Sequence, residues 1–213
     1  DRLRSRGLGD VYKRQIDIVI SSRASTPDRT AFIMGKSKAD PFAVMEQDGF
    51  SLVHYGATVL AIPCNTAHYF YDRLAKALPV PVLNMPRLTV ADAKAAGCTR
   101  LGILATDGTL AAETYQLACQ EQGIGWAAPS EEHQQEVMSV IYDDIKQGKR
   151  ADMAKFGAAV HDLKKQGCDM AVLGCTELSL VKRDEHLGPF FIDSTEVLCR
   201  HALEACGVKP IGF

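Results

Sequence analysis

The strongest constraint on this chain is an imperfect internal repeat. Val59-Leu60-Ala61-Ile62-Pro63-Cys64-Asn65-Thr66 in the first half is echoed by Met170-Ala171-Val172-Leu173-Gly174-Cys175-Thr176-Glu177 in the second, each a short apolar run that ends in a cysteine followed by polar residues. Leu52, Gly56 and Cys64 each stand 111 residues before Leu163, Gly167 and Cys175. Repetition at that spacing predicts two similar half-domains, and placing them face to face would bring one thiol from each to a shared cleft. Such a pair suits a nearly symmetric reaction, in which a proton leaves one face of a carbon and another returns to the opposite face.

Hydrophobic patterning predicts strands over residues 16–21, 58–63, 79–84, 100–106, 170–174 and 190–193. Helical periodicity covers the stretch up to residue 55, then 65–78, 89–96, 110–122, 132–147, 151–166 and 195–205. Alternation of this kind predicts an α/β fold: two pseudo-symmetric α/β domains with mostly parallel sheets and the active site in the cleft between them. Ligand-binding residues then belong at the carboxyl ends of the strands. The expected division is residues 16–97 plus 196–213 for the first domain and 98–195 for the second.

The strand and loop over residues 101–109 have no counterpart in the first half at the repeat spacing. The first domain is therefore expected to lack its opening strand. Residues 1–15, with Arg2, Arg4, Arg6, Lys13 and Arg14 and little hydrophobic periodicity, read as a non-native leader in its place. An extra unit inserted in the second half is the alternative.

At 213 residues, 46% hydrophobic and 23% charged, the chain can bury one large core or two half-size ones. A net charge of −2 provides no footprint for nucleic acid or an anionic membrane, so small-molecule partners are expected. The longest apolar runs are strand-sized, too short to span a membrane. Seven cysteines form an odd set without a CxxC pair, and no secretory leader is recognisable, which points to a reducing cytoplasm.

A single cysteine at a strand end is usually an inert small hydrophobe. Cys64 and Cys175 differ because they match each other and because each precedes a possible helix start, where free N–H groups lower a thiol pKa and grip a carboxylate. Cys98, Cys119, Cys168, Cys199 and Cys206 sit within or beside helical patterns, without a partner at the repeat spacing that looks chemical, and are assigned to packing or surface. His68 with the two cysteines makes a weak zinc set, since zinc sites usually carry tighter local pairs. By pattern alone, Arg29 and Lys146 belong on a solvated face, and Thr106 and Thr109 are helix-capping turn residues.

The ordered set Pro27-Asp28-Arg29-Thr30-Ala31, Pro63-Cys64-Asn65-Thr66-Ala67-His68, Leu104-Ala105-Thr106-Asp107-Gly108-Thr109, the stretch 142–148 and Gly174-Cys175-Thr176-Glu177 resembles the cofactor-independent aspartate/glutamate racemases, most closely the aspartate branch. The resemblance runs from about Ile16 to the C-terminus. It implies a two-base isomerase acting on aspartate, or on glutamate, with neither pyridoxal phosphate nor metal, and a homodimer in related enzymes. By the same resemblance Cys64 and Cys175 exchange the α-proton, while Asn65, Thr66 and Thr176 bind the α-carboxylate. Arg29 and Lys146 fall where aspartate racemases bind the side-chain carboxylate. Glu177 stands where glutamate racemases carry a histidine. One departure is plain: the family begins with a strand and a glycine-rich loop, and no Gly-Gly segment precedes Ile16. Maleate isomerase-like chemistry, a one-cysteine decarboxylase and a non-catalytic or redox carboxylate-binding protein are the rival readings.

Overall fold

A computed structural model describes residues 16–211. The leader expected over residues 1–15 lies outside the described residues.

The sheet is built entirely from the second half of the chain. Strands β1 (Arg100–Ala105), β2 (Gly125–Ala127), β3 (Met170–Gly174) and β4 (Phe191–Asp193) run in the order β2-β1-β3-β4, and every pairing is parallel. β1 and β3 read as continuous apolar runs because both of their faces are covered, as parallel sheets require. Side chains alternate between the faces. Leu101, Ile103, Ala105 and Val172 enter a core with Val90, Ala93, Tyr115, Ala118 and Cys119. Leu104, Ala171 and Leu173 enter the other, with Val137, Ile141, Phe156, Val160 and Leu163.

The helices in chain order are α1 (Arg29–Ile33), α2 (Phe42–His54), α3 (Tyr71–Ala77), α4 (Met85–Ala95), α5 (Asp107–Ala111), α6 (Thr114–Gln122), α7 (Glu131–Ser139), α8 (Met153–Lys165), α9 (Thr176–Glu185) and α10 (Ser194–Ala205). Half of these ten start where side-chain chemistry says they should. Asp28, Asn84, Thr106, Asp152 and Asp193 each accept a backbone N–H from the first turn, satisfying donors that the helix itself leaves free. α4 packs against α6 and α10, and α7 against α8, which accounts for the two covered faces. The expected α/β fold is therefore present as one four-stranded parallel sheet with helices on both sides.

The first half departs from expectation. Residues 16–21 form no strand, and Ile18, Val19 and Ile20 are exposed. The strands expected over 58–63 and 79–84 reduce to a single parallel bridge between Leu60 and Val82. An apolar run becomes a strand only when a neighbour takes its backbone hydrogen bonds, and among the described residues these segments find one such bridge. Leu60 and Val82 are buried nonetheless, in a third core with Phe70, Leu74 and Leu78 against which Phe42, Met45, Leu52 and Val53 of α2 pack.

Three expected helices are also interrupted. Residues 65–78 divide into a 3-10 turn (Thr66–Phe70) and α3, and 110–122 is broken at Glu113, whose φ is 55°. The run 132–147 stops as α-helix at Ser139, then continues through a π turn (Val140–Asp144) and a 3-10 turn (Ile145–Gln147).

Candidate active site

The parallel register aligns Ala105 of β1 with Gly174 of β3, so the next residues, Thr106 and Cys175, lie at the carboxyl ends of the two central strands. Both face a cavity of about 210 Å³. Its lining contains all eight residues singled out in the sequence: Arg29, Cys64, Asn65, Thr66, Lys146, Cys175, Thr176 and Glu177. Five others join them, of which Asp28, Thr30, Thr106 and Tyr142 bring polar groups. Both cavity cysteines are free thiols.

Cys175 adopts an extended conformation as the N-cap of α9, with φ −146° and ψ 138°. Its thiol donates to Glu177 Oε2 at 2.9 Å, an oxygen that also accepts from Thr176 Oγ1 at 3.1 Å. The other oxygen, Oε1, lies 2.7 Å from Lys146 Nζ. This arrangement overturns one expectation. A helix N-terminus was expected to lower the thiol pKa, but burial and then the charge and hydrogen bond of Glu177 push the Cys175 thiol well up. The helix end still acts on the sulfur through the Glu177 backbone N–H, which lowers the pKa, but burial and the Glu177 carboxylate outweigh it.

Burial opposes ionisation of Glu177 as well, yet hydrogen bonds from Cys175 and Lys146 outweigh it and hold the carboxyl below its ordinary value. Burial likewise disfavours the Lys146 charge, and the bond to Glu177 reverses that effect, leaving its pKa raised. Lys146 reaches the cavity from the 3-10 turn that follows the π turn, a helix irregularity frequent at functional positions. Its ammonium sits 5.2 Å from the Tyr142 ring centroid.

On the opposite side, Arg29 opens α1, with Asp28 capping that helix through Ala31 N at 2.7 Å. Its guanidinium donates to Pro27 O at 3.1 Å and more weakly to Thr26 O at 3.4 Å. α1 presses closely on α5, because a Cβ on Gly108 would come within 2.9 Å of Thr30 Cα. The glycine is thus needed for contact between the segment carrying Arg29 and the helix beyond β1.

Thr66, Thr106 and Thr109 form a buried hydroxyl triangle, with Oγ1 separations of 2.8 Å for 66–109, 3.1 Å for 106–109 and 3.3 Å for 66–106. Thr106 caps α5 as the sequence predicts. Asn65 is almost fully buried, and its amide is committed: Nδ2 donates to Ser194 Oγ at 3.1 Å and Oδ1 accepts from the Tyr115 hydroxyl at 2.5 Å.

His68 carries more weight than its sequence suggested. Met85 N donates to Nε2 at 3.1 Å, which makes that nitrogen the acceptor and leaves the proton on Nδ1, 2.9 Å from Cys64 O. The ring is neutral, its pKa lowered chiefly by burial. It therefore braces the backbone of Cys64 from behind. Pattern alone could not reveal this, since the acceptor and donor come from residues 64 and 85. Among the described residues, no group of three or more His, Cys, Asp or Glu side chains is placed to hold a metal. The remaining cysteines match their assignment: Cys98, Cys119 and Cys168 are buried, Cys199 and Cys206 exposed.

A four-stranded parallel sheet with a thiol at the end of a central strand, lining one cavity together with a second thiol, places the chain in a class that sequence comparison then identifies. The chain belongs to the Asp/Glu/hydantoin racemase family, whose profile matches residues 6–202. It is 30% identical over 138 residues to an uncharacterized protein in the pnlA 3' region of Pectobacterium carotovorum subsp. carotovorum, a match covering 63% of this chain and 91% of that one. It is 26% identical over 127 residues to the broad specificity amino-acid racemase RacX of Bacillus subtilis, covering 59% of this chain and 55% of RacX, so the match spans about half of that relative. The fold is similar to that of Picrophilus torridus aspartate racemase, with TM-score 0.74 and 20% identity, covering 95% of this chain and 85% of that one. Glutamate racemase isoform RacE1 from Bacillus anthracis is similar at TM-score 0.61 and 21% identity, over 87% of this chain and 69% of that one. No helix among the described residues is long and apolar enough to cross a membrane.

Proposed function

We propose that the chain is a cofactor-independent racemase of acidic amino acids, with aspartate as the preferred substrate and Cys64 and Cys175 as its two bases. The observation that carries this reading is the convergence of both free thiols, two cationic side chains and three hydroxyl or amide groups on one cavity. The two half-domains, residues 16–97 with 196–213 and residues 98–195, each contribute one thiol.

In the resting state Cys175 holds its proton, because its thiol donates to the Glu177 carboxylate. It is then the acid of the first turnover, and Cys64 must act as thiolate. The Cys64 thiolate takes the α-proton; the Cys175 thiol delivers its own proton to the opposite face. Cys64 ends as thiol and Cys175 as thiolate, and proton exchange with solvent or reaction in reverse restores the start. Removing an α-proton requires that charge moving onto the α-carboxylate be met by fixed donors. Thr66, Thr176, the remaining Asn65 N–H and the first-turn N–H groups of α9 serve that purpose. Arg29 and Lys146 take the distal carboxylate. An ammonium has three donors, so Lys146 can keep Glu177 and still bind substrate.

The test is α-hydrogen exchange in D2O together with polarimetric inversion, run on L-aspartate, L-glutamate and L-alanine. The reading expects inversion of an acidic amino acid, and loss of inversion in Cys64→Ala and in Cys175→Ala with the fold retained. Substantial inversion by either variant would exclude the two-base mechanism.

A further inference from the structure

We propose, resting on the racemase reading above, that Tyr115 and Ser194 are positioning residues that hold Cys64 and Cys175 in register by clamping the Asn65 amide. Neither side chain lines the cavity, and both are completely buried.

The hydrogen-bond directions in this cluster are fixed by elimination. The Ser194 hydroxyl has one proton, and it goes to Leu173 O at 2.8 Å. Ser194 Oγ must therefore accept from Asn65, which identifies the nearer amide atom as Nδ2 at 3.1 Å. The Asn65 oxygen then faces Tyr115, whose hydroxyl donates at 2.5 Å. One Nδ2 proton is left over, and Asn65 itself lines the cavity.

This chain connects the two cysteine segments by the shortest available route. Asn65 immediately follows Cys64, whereas Leu173 precedes Cys175 by two residues. Tyr115 makes the same connection through packing: a Cβ on Gly174, the residue just before Cys175, would lie 3.3 Å from Tyr115 Cε2. The tyrosine ring thus abuts the approach to one thiol while its hydroxyl grips the residue after the other. A buried network with every member satisfied specifies one arrangement far more sharply than apolar packing does. The demand is severe here, since both sulfurs must address opposite faces of one carbon at once.

The discriminating readout is the ratio of α-deuterium incorporation to inversion. When the thiols fall out of register, one can still remove the α-proton and return a deuteron to the same face, so exchange persists while inversion fails. For Tyr115→Phe and Ser194→Ala we expect inversion to drop by up to about a hundredfold, as sub-ångström misplacement of reacting groups allows, with KM little changed and the exchange-to-inversion ratio rising accordingly. Ser179→Ala is the structural control. It removes a hydroxyl that bonds Asp193 and Thr195 beside Ser194, and should lower the melting temperature without moving the ratio. A wild-type ratio in both folded variants overturns the proposal, and loss of the fold in both overturns it in favour of a purely structural network. If the wild-type protein neither exchanges nor inverts any amino acid offered, the racemase reading itself fails, and that outcome is separate.

Discussion

Glu177→Gln isolates the charge that, second to burial, holds the proton on Cys175. The substitution keeps the side-chain shape and an oxygen for Thr176, but removes the negative charge 2.9 Å from the sulfur. Two unit charges about 4 Å apart at an effective dielectric near 20 interact by about 4 kcal/mol, which corresponds to about 3 pKa units. That figure is a ceiling. Lys146 lies 2.7 Å from the other carboxylate oxygen and cancels part of the field, and it remains behind after the substitution to favour a thiolate. A downward shift of about 1–2 units in the Cys175 pKa is the expected outcome.

The assay is the pH dependence of Cys175 alkylation by iodoacetamide, followed by peptide mass spectrometry in a Cys64→Ala background so that one cavity thiol reacts. The direction follows from the chemistry of the acid: a carboxylate disfavours the neighbouring anion, so its removal moves the reactive midpoint toward lower pH. A midpoint that stays put or rises would show that burial alone holds the proton on Cys175. The account of Glu177 would then be wrong.

Other consequences can be checked in the same preparation. His68 is buried neutral with a lowered pKa, so the unfolded chain binds its proton more readily; stability should be full above about pH 6.5 and fall by up to about 1.4 kcal/mol per pH unit below it, and urea melts of His68→Gln should lose that dependence. Gly108→Ala places a Cβ against the Thr30 backbone, which cannot yield, so α1 must shift with Arg29; a cost of about 1–3 kcal/mol and a raised KM are expected, whereas Gly157→Ala, inside α8 with open space around it, should leave KM unchanged and raise stability by about 0.5–1 kcal/mol. Arg29→Ala and Lys146→Ala should each weaken aspartate binding by about 10- to 100-fold, the loss of a charged hydrogen bond; Lys146→Ala should in addition slow Cys175 alkylation, because the ammonium favours the thiolate, whereas Arg29→Ala should not. Unaltered affinity in both would return these side chains to an ordinary solvated face.

Much of this arrangement is legible in the sequence because it is carried by local chemistry. The capping residue Thr106, the alternation of apolar strands with amphipathic helices, and the polar pair after Cys64 and after Cys175 are all short-range signals. What local pattern misses depends on partners far along the chain. Residues 16–21 have strand composition and no strand, because composition supplies the side chains and pairing supplies the structure. The π turn at Val140–Asp144 interrupts a run whose periodicity reads as one helix, and it delivers Lys146 to Glu177. The bonds from Tyr115 and Ser194 to Asn65 span 50 and 129 residues, and no spacing rule anticipates them.

The repeat makes the two thiols look equivalent, and their surroundings make them different. Cys64 leads into a five-residue 3-10 turn and is braced from behind by neutral His68, and among the described residues no carboxylate hydrogen-bonds its sulfur. Cys175 leads into a ten-residue α-helix whose first turn carries Glu177, and it donates its proton there. On the two-base reading proposed above, one cysteine must hold a proton while the other takes one. Sequence duplication supplies the pair. Divergence of the residues flanking each cysteine then makes the two distinguishable, with the Glu177 carboxylate keeping the proton on Cys175.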